Sequence, residues 1–224
     1  LDKNKNNLKI TIKPGETKAP VLSLFRNFSS PVIWESDLSI DDYLFLFLND
    51  NDYFTRWDSG QYLMRELIKS RLTKQVNYSL EDSFLNAIKQ SISSLTIQDP
   101  FFLATLMTIP GVSELESLSE KVDPINIYKE SLNFQVSIAS NLIKELRILS
   151  ENLLLNINQV WPMGKGERKL LGIIWSYLAL TGDRKVKRLC VESISNPLMT
   201  ISRAALEALK PLDSCETEEA SHSF

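Results

Sequence analysis

Histidine is the residue that zinc sites and catalytic bases most often require, and this chain contains one, His222. Zinc catalysis needs several deprotonated nitrogen, sulfur or oxygen ligands held tetrahedrally, usually with histidine among them. His222 lies close to the end of the sequence, and no HExxH motif places two imidazoles one helical turn apart. The sequence therefore predicts a solvated terminal histidine, and no catalytic residue, cofactor-binding residue or metal ligand within the chain.

The two cysteines, Cys190 and Cys215, do not predict nucleophilic chemistry either. Cys190 shares an apolar helix stripe with three residues, Val186, Leu189 and Ile194. This position favours packing in the core over catalysis. A serine or cysteine nucleophile also needs an activating base, and His222 is the only imidazole available. Two cysteines give no disulfide framework, so we expect free thiols in the reducing cytoplasm.

Two basic stretches could in principle bind anions. Residues 164–169 read GKGERK, which lacks the GxxxxGK[ST] spacing of a phosphate loop and follows no predicted strand. We interpret them as a loop that leads into a helix. The second stretch contains Arg184, Lys185, Lys187 and Arg188. Because the net charge is −3 and the pI about 5.4, we expect a solvated helix face and no nucleic-acid partner.

Residues 51–61, which read NDYFTRWDSGQ, combine aromatic and charged side chains at the head of a predicted helix. Phe54 and Trp57 are expected to bury a large area on one face of that helix. Arg56 and Asp58 are expected to remain free to pair with the preceding loop. We interpret the segment as an anchor between a β-edge and a helical array, with ligand binding as the alternative.

Residues 8–34 have the pattern of strands. Residues 8–12 alternate apolar and polar side chains, and further strands are predicted over residues 21–25 and 31–34. Two or three strands are marginal alone, so we expect the rest of their sheet to lie upstream. The first residue is Leu1, and residues 215–220 near the other end have the pattern of a helix that is beginning. We therefore expect both ends to be cut from a longer protein.

The pattern becomes helical from Ser39 onward. Polar capping residues predict successive helices, of which the longest runs from Asp123 to about Leu155. Three short helices are predicted near the end, over residues 166–181, 183–195 and 198–210. The predicted fold class is mainly α, an array of about nine helices behind a small β-edge. No repeat period of ~35–45 residues is sharp enough to indicate a solenoid, and no apolar run is long enough to span a membrane.

Three motifs, in order, resemble bacterial aminopeptidase N, the zinc-dependent alanyl aminopeptidase of the gluzincin family. Residues 24–32 read LFRNFSSPV and resemble the end of the β-sandwich in that family. Residues 52–61 read DYFTRWDSGQ and resemble its DxFxRWDAxQ motif, with Gly60 where an alanine is usual. Residues 106–110 followed by 123–127 resemble its LxLP and DPxxI motifs. Beyond about residue 130 the similarity lies in helical character more than in individual residues.

The resemblance implies that residues 1–37 are terminal strands of a β-sandwich domain. It implies that residues 38–224 are the first part of a C-terminal helical domain, which caps the catalytic domain and encloses a peptide-sized cavity. The GAMEN loop, the HExxH zinc site, the downstream glutamate ligand and the transition-state tyrosine of the family lie earlier in the chain. None of them maps onto a residue here.

The implied parent is a cytoplasmic metalloprotease that uses zinc to remove N-terminal amino acids from peptides. The implied partner of this segment is the catalytic domain of the same chain, with no membrane and no nucleic acid involved. The alternative is a helical-repeat scaffold that binds protein partners in a groove between stacked helices.

Overall fold

The computed structural model describes residues 20–29, 36–116, 123–155 and 164–212. The mainly α fold class is confirmed, with ten α-helices in the described ranges. In chain order they are α1 (Ile40–Asn49), α2 (Tyr53–Leu72), α3 (Tyr78–Gln98), α4 (Pro100–Leu106), α5 (Val112–Glu116), α6 (Pro124–Asn141), α7 (Ile143–Leu154), α8 (Lys165–Leu180), α9 (Arg184–Ser193) and α10 (Met199–Leu209).

Polar side chains cap most of these helices where the sequence predicts it. Ser39 and Asp42 form a reciprocal capping box at α1, with the Ser39 N–H donating to Asp42 Oδ2 at 2.9 Å. Asp52, Asp99 and Asp123 accept backbone N–H groups at the heads of α2, α4 and α6. These bonds satisfy N–H groups that have no partner inside the helix.

The predicted strand over residues 21–25 is wrong, since the described residues 20–29 contain no strand. The chain instead runs into a short 3-10 turn, Arg26–Phe28. Phe25, Asn27 and Phe28 have φ angles of 53°, 56° and 53°, in the left-handed region that a strand does not use. The other predicted strands, at residues 8–12 and 31–34, lie outside the described residues.

The single long helix predicted from Asp123 to about Leu155 is also wrong. It is interrupted at Leu142, whose φ of −108° and ψ of 17° are not helical. The Leu142 side chain remains buried, so the apolar stripe continues across the interruption. Before the interruption α6 contacts α2, α5 and α8, and after it α7 packs mainly on α8. This interruption and the short α5 explain why the count exceeds nine.

Helix α8 lies at the centre of the second half and contacts α4, α6, α7, α9 and α10. Its Trp175 and Ile174 are fully buried. At Gly172 a Cβ would come within 2.8 Å of the Ala204 Cβ, so α8 and α10 cross in close contact there. None of the helices in the described ranges combines the length and apolarity that a membrane span requires.

Candidate functional site

The most elaborate polar site joins residues 20–29 to the turn between α1 and α2. Arg26 Nη1 donates to Ser23 Oγ and to Asp50 Oδ1, both at 3.0 Å. Its other terminal nitrogen donates to the Asn51 side chain. We call Arg26, Asp50, Asn51 and Asp52 the junction cluster. It fixes the approach of the preceding segment to the head of α2.

Asp52 is the most buried member of the junction cluster, with 5% of its surface exposed. Its Oδ1 accepts hydrogen bonds from the N–H and the hydroxyl of Thr55, both at 2.9 Å, and its Oδ2 accepts the Asn27 N–H at 2.9 Å. Burial opposes ionisation, but these donors and the Arg26 charge together lower the pKa of Asp52 below its ordinary value. The carboxylate therefore caps α2 and holds the preceding segment at once.

The sequence predicts that Arg56 is free to pair with the preceding loop. In the structure its hydrogen-bond partner lies in α1 instead. Arg56 is buried, and its Nε donates to the Phe47 carbonyl oxygen at 2.9 Å. Its guanidinium lies 5.4 Å from the centroid of the Phe102 ring. Arg56 thus joins α2 to the end of α1 and to α4. Burial lowers its pKa, with Tyr53 and Asp50 acting in the opposite direction.

The aromatic pair of the same segment is partly buried, and Trp57 packs against the hydrophobic core, which agrees with the prediction that the pair buries area on one face of α2. Phe54 packs against Trp57 at a centroid distance of 5.8 Å and against Phe28 at 5.1 Å. The deeply buried residues of α2 include Arg56 and Gln61 as well as Ser59, Gly60, Leu63, Met64 and Leu67. Phe28 brings the preceding segment onto this aromatic pair, which agrees with the predicted anchor.

A second candidate is a groove between α7, α8 and α9, with a cavity volume of about 290 Å³. Its floor is apolar and includes Leu154, Leu178, Val186 and Leu189. Two ion pairs lie at its rim, Arg147 Nε to Asp183 Oδ2 at 2.7 Å and Lys185 Nζ to Glu151 Oε1 at 2.8 Å. An apolar floor with an ionic rim is typical of a contact surface.

The basic cluster of the sequence lies on α9 beside this groove. Arg184, Lys185 and Arg188 are exposed and Lys187 is partly buried, so the predicted solvated face is confirmed for three of its four residues. Lys185 forms an ion pair with Glu151, and the hydrogen bond between them raises the pKa of Lys185. Exposed ion pairs of this kind contribute little to stability.

The other residues considered for chemistry do not come together. Cys190 is fully buried in α9, and burial raises the pKa of its thiol to about 12. Its predicted role in core packing is confirmed. Residues 165–169 already belong to α8, so the interpretation of residues 164–169 as a loop is wrong, although the helix that follows is present. Cys215 and His222 lie outside the described residues.

The described residues also do not fit the zinc that the resemblance implies for the parent enzyme. Within residues 20–29, 36–116, 123–155 and 164–212, no three His, Cys, Asp or Glu side chains lie close enough to hold a metal ion. The acidic groups described above, Asp50, Asp52, Glu151 and Asp183, are engaged instead with helix N–H groups and with arginine or lysine side chains.

Comparison with known proteins supports the resemblance. Residues 40–224 match the family described as "Domain of unknown function (DUF3458_C) ARM repeats". The chain is 30% identical over 176 residues to aminopeptidase N of Caulobacter vibrioides. The aligned region covers 79% of this chain and 18% of that protein. The chain is also 30% identical over 130 residues to aminopeptidase N of Escherichia coli. That aligned region covers 57% of this chain and 15% of that protein.

A solved structure shares the fold. Aminopeptidase A of Legionella pneumophila, crystallised in complex with aspartic acid, superposes with a TM-score of 0.76 at 22% identity. The superposition covers 89% of this chain and 24% of that one. The chain spans less than a fifth of the length of the curated relatives that it matches. The description of the family also shows that the lack of a sharp period in the sequence does not exclude repeats.

Proposed function

The chain belongs to the family described as "Domain of unknown function (DUF3458_C) ARM repeats", and from this premise we propose that it is a non-catalytic helical part of an aminopeptidase N-like enzyme. In this proposal residues 1–37 end a β-sandwich domain and residues 38–224 begin a C-terminal helical domain. That domain walls the cavity which admits peptides. The parent is a cytoplasmic zinc hydrolase that removes N-terminal amino acids, and its catalytic domain holds the zinc.

One observation carries this proposal. The similarity to aminopeptidase N of Caulobacter vibrioides extends over 79% of this chain but only 18% of the relative. A segment of that proportion is expected to supply one domain of a larger enzyme. The shared fold with the Legionella structure extends over 89% of the chain and agrees with this proportion.

The use of the buried charges supports a structural role. Arg56 binds the Phe47 carbonyl oxygen, and Asp52 caps α2. Arg71 Nη2 donates to both oxygens of Glu81, at 2.7 and 2.8 Å, and so joins α2 to α3. Each of these charges is engaged in a contact between elements. Perturbed groups in a catalytic site would instead face a cleft that substrate can enter.

The first test assays the purified 224-residue chain on a chromogenic alanyl amide, with added zinc and with a chelator. We expect no zinc-dependent hydrolysis, while aminopeptidase N of Escherichia coli serves as the positive control. Zinc-dependent turnover, or one tightly bound zinc ion per chain by elemental analysis, would contradict the proposal that this segment is non-catalytic and that the zinc is held by the catalytic domain.

The second test addresses the cavity wall and uses the full-length parent. A peptide substrate analogue with a photoreactive group at its C-terminal end is cross-linked to the parent and the labelled residues are mapped. We expect labels within residues 38–224. Labels confined to the upstream domains would show that this segment does not face the peptide.

The alternative function is a helical scaffold that binds protein partners, and the ARM-repeat description of the family favours it. Stacked helical repeats form extended surfaces that suit such binding. The two proposals differ in the reading frame upstream of Leu1. A GAMEN motif and an HExxH motif a few hundred residues earlier would support the peptidase, whereas a start codon near Leu1 would leave the scaffold.

A further inference from the structure

Two lysines of α8 lie over one aromatic ring of α4. Lys169 Nζ lies 3.9 Å from the centroid of the Phe101 ring, and Lys165 Nζ lies 5.1 Å from the same centroid. The two helices approach closely here, because a Cβ at Gly166 would come within 2.9 Å of the Phe101 nitrogen. The absence of a side chain at Gly166 therefore permits the contact that brings both ammonium groups to Phe101.

The contacts of both lysines favour the charged ammonium group. The face of an aromatic ring attracts a cation. Lys169 Nζ also donates to Thr105 Oγ1 at 2.7 Å, and the Thr105 hydroxyl donates in turn to the Phe101 carbonyl oxygen at 3.0 Å. Neither the ring nor the hydroxyl carries a negative charge, so these contacts hold two like charges together without neutralising them.

No carboxylate among the described residues forms an ion pair with Lys165 or Lys169. The two lysines are four positions apart on one helix, where like charges repel each other. Burial, and then the charge of Lys165, lower the pKa of Lys169, which agrees with this repulsion. Lys185 on α9 differs, because its Nζ lies 2.8 Å from Glu151 Oε1. The α8 pair therefore retains two positive charges that the described part of the chain does not balance.

The lysine pair is accessible and has hydrogen-bond donors to spare. Lys165 is exposed, Lys169 is partly buried, and 40% of the Phe101 surface is exposed. Each ammonium group has three N–H donors. Thr105 accepts one donor of Lys169, and Lys165 donates no hydrogen bond to a described residue. An anion in contact with both lysines would accept the remaining donors and relieve the repulsion between the two charges.

We propose that Lys165 and Lys169 form a binding site for a small oxyanion with two negative charges, either a phosphate or a dicarboxylate. Both classes of anion present several acceptor oxygens, and their hydrogen bonds with ammonium groups are charge-assisted. The face of the Phe101 ring repels negative charge, so the anion lies on the solvent side of the two ammonium groups. The site uses only residues of this chain and does not depend on the function proposed above.

The test measures binding of inorganic phosphate and of malonate to the 224-residue chain by isothermal titration calorimetry. The titrations are done at low ionic strength and mildly alkaline pH, where both anions are doubly charged. We expect one saturable site per chain for at least one of the two anions, and the stronger binder identifies the class. Sodium chloride at matched ionic strength is the control for general screening. Absence of saturable binding of both anions, or an equal response to chloride, would overturn the proposal.

Matched variants assign the binding to the lysine pair. Lys165→Gln and Lys169→Gln should each weaken binding about tenfold, the loss expected when one hydrogen bond to a charged group is removed. Lys165→Arg keeps the charge at an exposed position and should retain binding, and Lys185→Gln should bind as wild type does. Binding that is unchanged in both glutamine variants of the pair, or weakened equally in Lys185→Gln, would show that these two lysines do not form the site.

Discussion

Replacing Gly60 by alanine tests how closely α1 packs on α2. The aminopeptidase N motif that the segment resembles has alanine here, and alanine favours a helix interior over glycine by ~1 kcal/mol. In this structure, however, an alanine Cβ would lie 2.9 Å from Phe47 Cε2 and 3.0 Å from Phe47 Cδ2. Carbon atoms in favourable contact are ~3.5–4.0 Å apart. The substitution would therefore force the Phe47 ring to move.

The surroundings of Phe47 leave little room for that movement. Its side chain is fully buried, and its ring centroid lies 5.6 Å from that of Phe84. Overpacking a well-filled core costs ~1–3 kcal/mol. Because this exceeds the gain of ~1 kcal/mol in helix propensity, we expect Gly60→Ala to lower the free energy of unfolding by about 1 kcal/mol.

The measurement is urea unfolding followed by circular dichroism, in wild type and in a Phe47→Leu background. Leucine lacks the ring edge that Gly60 faces, so Gly60→Ala should there be neutral or stabilising by up to ~1 kcal/mol. The difference between the two backgrounds gives the coupling between positions 47 and 60. Stabilisation of the wild-type protein by Gly60→Ala, or the same effect in both backgrounds, would refute this account of the packing.

Two further predictions concern buried carboxylates. Glu81→Gln should lower the free energy of unfolding by about 3 kcal/mol, because Arg71, whose side chain is only 10% exposed, would lose its charged partner. The exposed Glu151→Gln should cause no measurable change in the same urea titration. The pKa of Asp52 is lower in the folded chain than in the unfolded chain, where it is near 3.8. The Asp52 carboxylate therefore makes its full contribution to the free energy of unfolding above the unfolded pKa, and this contribution is lost as the pH falls through the folded pKa. Asparagine can still cap α2 but lacks the charge that favours the helix N-terminus. Asp52→Asn should therefore be less stable than wild type at pH 7 by up to ~1 kcal/mol, and the difference should shrink towards pH 2. A difference that stays constant with pH would contradict this.

Most helix starts could be predicted from the sequence because a cap is a local device. Ser39, Asp52, Asp99 and Asp123 each bind an N–H group within three residues, so a short pattern contains the whole interaction. The interruption at Leu142 carries no such pattern. Its side chain fits the same apolar stripe as its neighbours, and the two helices differ in their packing: α6 contacts α2 and α5 as well as α8, whereas α7 packs mainly on α8.

Contacts between residues far apart in the chain could not be predicted from the sequence. Glu81 accepts from Arg71 ten positions earlier and from Ser137 fifty-six positions later, and nothing local relates these residues. The junction cluster was predicted only in outline, since the sequence suggested an anchor at residues 51–61 but assigned the pairing to Arg56. Arg26 performs that role, and its contacts depend on the turn at residues 26–28.

Hydrogen bonds between the helices explain how helices with broad apolar stripes adopt a single packing arrangement. Apolar contacts are non-directional, so helices with wide stripes could rotate or slide against one another at little cost. Gln61 Nε2 donates to the Thr108 carbonyl oxygen at 3.0 Å, and the Tyr177 hydroxyl donates to the Met107 carbonyl oxygen at 2.7 Å. Both acceptors lie at the end of α4, where carbonyl groups lack partners within the helix. We infer that α2 and α8 are fixed in register through this one short helix, because a slide of α8 would leave the buried Met107 carbonyl oxygen without its donor and a slide of α2 would break the partly buried bond to Thr108.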